Sequence, residues 1–408
     1  MNYLKEHNVP QSYRDKILKW NGWGYADSYF KLNQAGHVTM AGDKYDMSGQ
    51  VMPHFRPWFE ANLGVDLDYK TPSQKITDME IPPPVENDEI YDGLLKANIS
   101  FSNAPRMRLM RAHGHTVTIK IFPLPEVKRH GSLVFPDFAH GVEFFREVAR
   151  QRIQPASLRL MDNEQFIMGQ ALKVESKSFW ASLKSSMSRM YVTKWKGFHI
   201  DEMCAATCVF EGTAEEVNNE ERRLYALAER YKGVVGGEEN GKYGYRLTFA
   251  IAYLRDLGME YGVLGESFET SVPWDKVLNL CRNVKELIKR QAKNLGVQYP
   301  VLSSCRVTQI YDAGACVYFY FGFNSRGLDN GLEIYDKIET AARDEIIACG
   351  GSISHHHGVG KLRKQWMLTS QGAVGVSLVK AIKAELDPAN IFANANLVDI
   401  IGSPHSKL

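Results

Sequence analysis

Three consecutive histidines, His355, His356 and His357, are the side chains of this chain best suited to chemistry. They lie in the stretch GSISHHHGVGKLRKQWM, where glycines border them on both sides. Histidine changes its charge near neutral pH and also binds metals, so the run suits a proton-handling site or a metal site. In an extended loop His355 and His357 share one side and His356 faces away. A third metal ligand would have to come from elsewhere, and we predict no metal site.

The alternatives for this loop are a catalytic or anion-binding role and a loop of solvated histidines. Lys361, Arg363 and Lys364 follow the histidines closely. Such a basic cluster can hold a phosphate, but it also fits a solvated helix face. The residues of the loop do not separate these alternatives.

Two tyrosines and two arginines add to the chemistry available. Tyr318 and Tyr320 alternate in CVYFYF, so they lie on one face of a strand, and the phenylalanines between and after them lie on the other. A core role for all four aromatic residues remains open. Arg159 and Arg255 stand among apolar neighbours, where an arginine tends to pair with a carboxylate or a phosphate. Together these residue types indicate a cleft for an anionic substrate.

The hydrophobic pattern predicts that an α+β body positions these side chains. Strand patterns are at Gly131–Pro136, Ala156–Asn163, Ala205–Gly212 and the aromatic run CVYFYFGF. Helical patterns are at Glu89–Ser100, His140–Arg152, Thr213–Lys232 and Gly331–Cys349, and the sequence DPANIF closes a final helix. The helix from Thr213 begins with a capping-box sequence. No internal repeat is visible in the sequence.

Composition restricts the class of protein. The 408 residues are 44% hydrophobic and 24% charged, with a net charge of +2, which is ordinary for a globular protein. No basic tract is interleaved with aromatic residues, so we predict no nucleic-acid partner. The six cysteines show no zinc-ribbon spacing and are expected to be reduced thiols. The first residues lack the apolar segment of a secretory signal, and the last three, Ser406 to Leu408, match a peroxisomal address.

Seven stretches together resemble the alkyldihydroxyacetonephosphate synthase family, ether-lipid enzymes among the vanillyl-alcohol-oxidase type of flavoproteins. They are KWNGWGY, RAHGH, PASLRLMDNEQF, VLGESFETSVPWD, CRVTQIYDAGACVYFYF, GSISHHHGVGKLRKQW and DPANIF. The resemblance implies an alkyl-group transferase with FAD. A fatty alcohol replaces the fatty acid of acyl-dihydroxyacetone phosphate, and the flavin N5 holds the dihydroxyacetone phosphate in between. It also implies a homodimer in the peroxisome, with peripheral membrane contact and a peroxisomal import receptor as partner.

The resemblance also assigns roles to individual residues. The proton-transferring tyrosine falls on Tyr318, and the catalytic histidine loop falls on His355, His356 and His357, which would stabilise charge beside the flavin. Arg255 falls on a substrate-binding arginine and Arg159 on an arginine critical for activity. For Tyr318 to act as a base, neighbouring cations would have to lower its pKa. A C-terminal segment needed for activity matches Asn394, Ala395, Asn396, Leu397 and Val398.

One departure from the family is large. In the family, RAHGH opens a flavin-binding domain with a glycine-rich pyrophosphate loop. Here His115 is followed at once by a sequence that resembles the exit of that domain, and neither GGGTS nor G-x-G-x-x-G occurs. We therefore predict that the FAD-binding domain is missing from this chain between about Val117 and Thr118. The sequence does not identify the FAD-binding residues, and it leaves open whether the whole protein lacks the domain. With no flavin to face, we expect the histidine loop to be poorly ordered.

The expected organisation follows from this departure. Residues 1–117 form an N-terminal region, mostly helical with a proline-rich segment, residues 118–350 an α+β substrate or cap domain, and residues 351–408 the histidine loop and a helical C-terminal region. The alternative to an enzyme is a non-catalytic truncated variant that acts as a dimer partner or regulator. A histidine-metal hydrolase is a more distant alternative.

Overall fold

The computed structural model describes residues 6–7, 17–19, 24–71, 87–98, 101–102, 123–174, 190–390 and 395–399. The strands of this part are β1 Glu6–His7, β2 Phe30–Leu32, β3 Val38–Met40, β4 Val51–Met52, β5 Phe101–Ser102, β6 Val127–Phe135, β7 Ser157–Met161, β8 Cys204–Gly212, β9 Val234–Val235, β10 Val263–Pro273, β11 Val301–Ile310 and β12 Gly314–Asn324. Its α-helices are α1 Phe55–Leu63, α2 Asp88–Lys96, α3 Phe138–Arg150, α4 Asn163–Ala171, α5 Ala214–Arg230, α6 Glu238–Glu260, α7 Val277–Asn294, α8 Gly331–Ala348 and α9 Met367–Leu386.

Several predicted features lie outside the described residues. They are the proline run, the RAHGH motif, the junction of Val117 with Thr118, Asn394 and the Ser-Lys-Leu end. Within the described residues no helix is both long enough and apolar enough to span a bilayer. All six cysteines are described, and all are free thiols, as predicted.

A seven-stranded antiparallel sheet forms the centre of the structure, in the order β10-β12-β11-β7-β8-β6-β9. Its two halves have the same order of elements. β6, α3, β7, β8 and α5 make the first half, with α4 inserted between β7 and β8, and β10, α7, β11, β12 and α8 make the second. The halves join through β7 and β11, where Arg306 pairs with Met161. A strand-helix-strand-strand-helix unit thus occurs twice, although no repeat is visible in the sequence.

The two faces of this sheet have different chemistry. On one face the apolar residues of the strands pack against α3, α5, α7 and α8, and Phe319 and Phe321 are 0% and 2% exposed. On the other face the register sets Tyr318 beside Arg306 and beside Glu269. The predicted alternation along CVYFYF is therefore confirmed. Burial of the phenylalanine face stabilises the sheet and leaves the tyrosine face for polar side chains.

Helix α6 lies over part of the polar face and joins it to a second core. Its close approach depends on Gly241, where a Cβ atom would come within 2.5 Å of the carbonyl oxygen of Gly131. The buried residues of α6, including Tyr253 and Leu257, pack with α1 and with the three-stranded sheet β2-β3-β4. We expected the N-terminal region to be mostly helical. Instead, residues 24–71 combine this small sheet with one helix. The sequence did not indicate the sheet, because strands of two or three residues are too short to show an alternation of apolar and polar residues.

The longer elements agree with the sequence patterns. The helix predicted from Thr213 is α5, and both hydrogen bonds of its capping box are present between Thr213 and Glu216. The aromatic strand is β12, and the C-terminal region is helical at α9. The mixed α/β architecture matches the predicted fold class.

Candidate functional site

A buried carboxylate, Glu269, anchors the histidine loop. Glu269 lies on β10 and is 0% exposed. It accepts hydrogen bonds from the backbone N–H groups of His355 and His357, the latter at 3.0 Å, and from the Ser354 hydroxyl at 2.9 Å. Arg363 donates to it at 3.1 Å. Burial alone would raise the pKa of Glu269, but these donors hold it at about 2. The loop is tied to the sheet, contrary to the expectation of poor order.

The histidines converge on two tyrosines. His356 Nε2 and His357 Nε2 lie 2.5 and 3.0 Å from the hydroxyl of Tyr318. His355 Nε2 lies 2.9 Å from the hydroxyl of Tyr311. The prediction that His356 faces away from a side shared by the other two is wrong. The loop is not extended, because alternate N–H groups bond to Glu269 and curve the chain around it.

These contacts form a continuous chain of hydrogen bonds. His355 Nδ1 and His356 Nδ1 are 2.7 Å apart, so the order is Tyr311, His355, His356, Tyr318 and His357. The Tyr318 hydroxyl has one proton and two imidazole neighbours, so it donates to one and accepts from the other. Tyr311 is 47% exposed, so the chain ends at the solvent. Such a chain can carry a proton between Tyr318 and water.

The pKa of Tyr318 is raised, not lowered. Burial and then the neighbouring Tyr320 raise it to about 12, and Arg306 opposes them only in part. The expectation that cations lower this pKa is therefore not met, and Tyr318 is protonated near neutral pH. Burial also lowers the pKa of His357, which favours its neutral form. The site thus offers a neutral tyrosine between imidazoles, suited to passing a proton on.

Two arginines lie beside Tyr318 on the polar face. The guanidinium carbon of Arg306 is 5.4 Å from the ring centre of Tyr318 and 4.9 Å from that of Tyr320. Arg159 donates to the Thr248 hydroxyl at 2.6 Å, and its pKa is lowered by burial and then by Arg306. Within the described part of the chain, neither guanidinium has a carboxylate partner. Two partly buried cations side by side are costly without an anion, so the pair is suited to bind one.

Arg255 is not brought into this cluster. On α6, it forms an ion pair with Glu266 of β10. In the strand ladder Glu266 pairs with Phe321, whereas Glu269 pairs with Tyr318. The contacts of Arg255 among the described residues therefore link α6 to β10 and do not reach Tyr318 or the histidines.

The C-terminal segment supports the end of the histidine loop. The N–H group of Leu397 donates to the carbonyl oxygen of Gly360 at 3.1 Å, and Val398 is 8% exposed. Lys364 pairs with Asp399 at 2.6 Å. Ala395 and Asn396, which begin the described part of this segment, form the turn that precedes Leu397.

The basic cluster after the histidines has structural partners. Arg363 bonds to Glu269 and to the carbonyl oxygen of Gly358, and Lys364 bonds to Asp399. Lys361 is exposed. A shared phosphate grip by these three residues is therefore not supported, because two of them already neutralise carboxylates.

Neither Glu269 nor Arg306 is among the residues predicted from the sequence. Arg306 carries the same signal as Arg159, an arginine among apolar residues of a strand, in SSCRVTQI. Glu269 is one of two glutamates in GESFETS, and nothing in the sequence separates the buried one from the exposed one. Only the register of β10 against β12 distinguishes them.

Neither GGGTS nor G-x-G-x-x-G, the glycine-rich sequences that hold a dinucleotide at a helix N-terminus, occurs in the chain. A cavity of about 360 Å³ lies between α6 and the N-terminal region, lined by residues such as Tyr45, Tyr245, Arg246 and Phe249. Its lining does not include Tyr318 or the histidine loop.

Comparison with known proteins gives a consistent result. Residues 124–397 match the family model "FAD linked oxidases, C-terminal domain". The chain is similar to the alkyldihydroxyacetonephosphate synthase of Caenorhabditis elegans, with 51% identity covering 99% of each chain. It is 27% identical to the enzyme of that name from Trypanosoma brucei brucei, over 71% of this chain and 46% of the relative. A solved alkyldihydroxyacetonephosphate synthase structure shares the fold, with a TM-score of 0.70, 15% identity, and coverage of 94% of this chain and 98% of that one.

The length of one alignment bears on the predicted missing domain. The alignment with the Caenorhabditis elegans protein runs over 589 residues, whereas this chain has 408. At least 181 aligned positions (589 less 408) therefore have no residue in this chain. That number of residues is large enough for a domain.

Proposed function

We propose, from the premise that this chain belongs to the alkyldihydroxyacetonephosphate synthase family of FAD-linked oxidases, that it is the substrate-side part of an ether-lipid synthase. The complete enzyme would also contain a FAD-binding segment, for which the additional positions of the relative have room. It would exchange the acyl group of acyl-dihydroxyacetone phosphate for a fatty alcohol and release the fatty acid. The long alignment with the relative supports this assignment.

In this proposal Arg159 and Arg306 hold the phosphate group of the substrate. Both guanidinium groups lie on the polar face and lack a carboxylate partner among the described residues. A phosphate dianion would neutralise them, and a planar guanidinium can donate two parallel hydrogen bonds to it. The position of Arg306 against Tyr318 would set the ketone of the substrate near the hydroxyl.

Tyr318 and the histidines would move the proton. As a proton leaves the carbon next to the ketone, the oxygen of Tyr318 accepts it and passes its own hydroxyl proton to His356 Nε2. The proton on His356 Nδ1 can move on to His355 Nδ1, 2.7 Å away, and towards Tyr311. No group in this relay needs to become a phenolate, which suits a tyrosine with a pKa of about 12. Glu269 positions the loop and does not touch the substrate.

The observation that supports this function most directly is the contact of Tyr318 with two imidazoles, beside an arginine that has no carboxylate partner among the described residues. In a flavin-containing long form, Tyr318→Phe removes only the hydroxyl. Exchange of labelled fatty alcohol should fall by roughly 100-fold or more, while the melting temperature is retained.

Tyr320→Phe is the matched control, because it removes a hydroxyl two residues away on the same face. Exchange in this variant should stay well above that of the Tyr318→Phe variant. Near-normal exchange after Tyr318→Phe would remove the proposed proton transfer and return Tyr318 to a packing role.

A second candidate function applies to the 408-residue chain itself. The 181 or more positions without a counterpart and the absence of both glycine-rich sequences favour a non-catalytic partner or regulator. In that case the chain would form mixed dimers with the long form. Differently tagged versions of the two proteins, co-expressed and purified by one tag, should then elute together.

We also propose that the protein is peroxisomal, through the terminal Ser-Lys-Leu, and that it contacts the membrane peripherally as a homodimer. An N-terminally tagged chain should colocalise with peroxisomes and become diffuse when these three residues are deleted.

A further inference from the structure

A cysteine lies beneath two of the histidines. Cys316 is on β12, two residues before Tyr318, and therefore on the same face of the sheet. It is 0% exposed. Its Sγ atom and one ring nitrogen each of His355 and His356 all lie within 4.8 Å of one another. The third ligand that the sequence pattern of the loop lacks is thus supplied by a strand.

The two imidazoles are arranged as metal ligands usually are. Their Nδ1 atoms are 2.7 Å apart, so only one proton fits between them. Each ring has its Nε2 beside a tyrosine hydroxyl, Tyr311 for His355 at 2.9 Å and Tyr318 for His356 at 2.5 Å. Histidines that bind metals commonly bond through the other ring nitrogen to a neighbouring polar group, which fixes the ring. A tetrahedral cation bound to both Nδ1 atoms would replace the shared proton and move these two nitrogens apart to about 3.3 Å.

We propose that Cys316, His355 and His356 form a binding site for Zn²⁺, and that occupation of this site inhibits proton transfer at Tyr318. Two imidazole nitrogens and one thiolate form a set that Zn²⁺ prefers, with bonds of about 2.0–2.3 Å and a fourth position for water. Binding releases the thiol proton of Cys316 to solvent, and the proton between the two Nδ1 atoms moves to the Nε2 atom of its own ring, so both imidazoles stay neutral. The link between His355 and His356 in the hydrogen-bond chain is then broken.

Binding can be measured on the chain as it is, without flavin. Co²⁺ added to the reduced, metal-free protein should give a thiolate-to-cobalt charge-transfer band that saturates at one ion per chain. Zn²⁺ should displace Co²⁺ and compete with a chromophoric chelator with a Kd of about 1 µM or tighter. Cys316→Ser should abolish the band and weaken Zn²⁺ binding by roughly 100-fold, and His355→Ala should weaken it similarly.

Two variants serve as controls for binding. Cys349→Ser removes a thiol outside the cluster, and His357→Ala removes a neighbouring histidine that is not one of the three ligands. Both should keep the cobalt band and the zinc affinity. Thermal melting of every variant shows whether it is folded. A folded chain without a saturable band, or Cys316→Ser with unchanged zinc affinity, would overturn the site.

The inhibitory effect is tested in the flavin-containing long form. Zn²⁺ near its Kd should halve the exchange activity, a chelator should restore it, and Cys316→Ser should shift the inhibitory concentration upwards by roughly 100-fold. Full exchange with the site occupied would overturn the inhibition. Since the binding assay needs neither flavin nor substrate, failure of the metal site leaves the proposed synthase function untouched, and failure of that function leaves the binding result intact.

Discussion

Arg306 is a partly buried cation with no carboxylate partner among the described residues. Its guanidinium lies over Tyr318 and Tyr320, close enough to Arg159 to lower the pKa of that residue. Folding alone would not favour two adjacent cations without a carboxylate, since each loses hydration and gains no counter-charge from the described residues. In the proposed function the phosphate of the substrate would supply that charge.

For Arg306 we expect a loss of affinity without a loss of stability. Arg306→Gln should weaken the binding of dihydroxyacetone phosphate to this chain by roughly 10- to 100-fold, the value of one or two charge-assisted hydrogen bonds. The melting temperature should be unchanged or higher, because repulsion from Arg159 is removed. Titration calorimetry and thermal melting measure the two effects.

Arg152→Gln is the control for this measurement, because Arg152 is an exposed arginine paired with Asp312. It should bind dihydroxyacetone phosphate as the parent chain does. Equal affinity in the Arg306→Gln and Arg152→Gln variants would show that Arg306 does not hold the phosphate.

At this scale the sequence singled out the histidines, Tyr318 and Arg159, but it did not predict their contacts in the structure. The pKa of Tyr318 depends on burial by its surroundings, and its direction is opposite to the one expected. The relative positions of the histidines depend on Glu269, which is remote in sequence and has no distinctive neighbours. Residue types indicate which chemistry is available, whereas burial and register decide which groups carry it out.

At the scale of elements, the glycine-bordered loop is held by a carboxylate on a neighbouring strand. Glu269 has a pKa of about 2, below the ordinary value of 4.5, because three N–H or O–H donors of the loop and Arg363 surround it. A lowered pKa means that the folded state favours the ionised carboxylate. The stabilisation is therefore complete above about pH 4.5 and is lost as the pH falls towards 2.

For Glu269 we expect a large cost of neutralisation. Glu269→Gln should lower the free energy of unfolding at pH 7 by about 3 kcal/mol, because Arg363 is left buried without its counter-charge. The backbone amide hydrogens of His355 and His357 should exchange with solvent deuterium faster than in the parent chain. Denaturant unfolding between pH 7 and pH 3 should also show a smaller loss of stability in the variant than in the parent chain.

Glu333→Gln is the matched control, since Glu333 is an exposed glutamate of α8 that also has a lowered pKa and pairs with Lys337. Its replacement should leave the exchange of the loop amides unchanged. If Glu269→Gln behaves like Glu333→Gln, the loop is held by something other than the buried carboxylate.

Elements with a clear periodic pattern of apolar residues could be predicted from the sequence, and the short elements could not. The capping box of α5 and the alternating aromatics of β12 are local signals, and both appear as predicted. The sheet β2-β3-β4 has strands of two or three residues, too short for a period. The repetition of the two halves of the large sheet also has no sequence counterpart, because it depends only on which strands pair.

At the scale of the whole molecule, the central feature is a sheet with helices on one face and a polar surface on the other. Helix α6 covers part of that surface, and Tyr318, Arg306 and the histidine loop lie beyond it. In the proposed function, the 181 or more positions that the Caenorhabditis elegans protein has in addition would supply the segment that completes this surface. The proposed function therefore requires two parts, of which this chain supplies the substrate-binding and proton-transferring one.

The most direct test compares this chain with a graft that carries the additional segment of the Caenorhabditis elegans protein between Val117 and Thr118. Flavin absorption and exchange of labelled fatty alcohol are measured for both proteins after identical purification with added FAD. We predict stoichiometric flavin and exchange in the graft and neither in the 408-residue chain. Equal flavin and exchange in the two proteins, or a folded graft that binds flavin but does not exchange the alcohol, would contradict the proposed division of the enzyme into two parts.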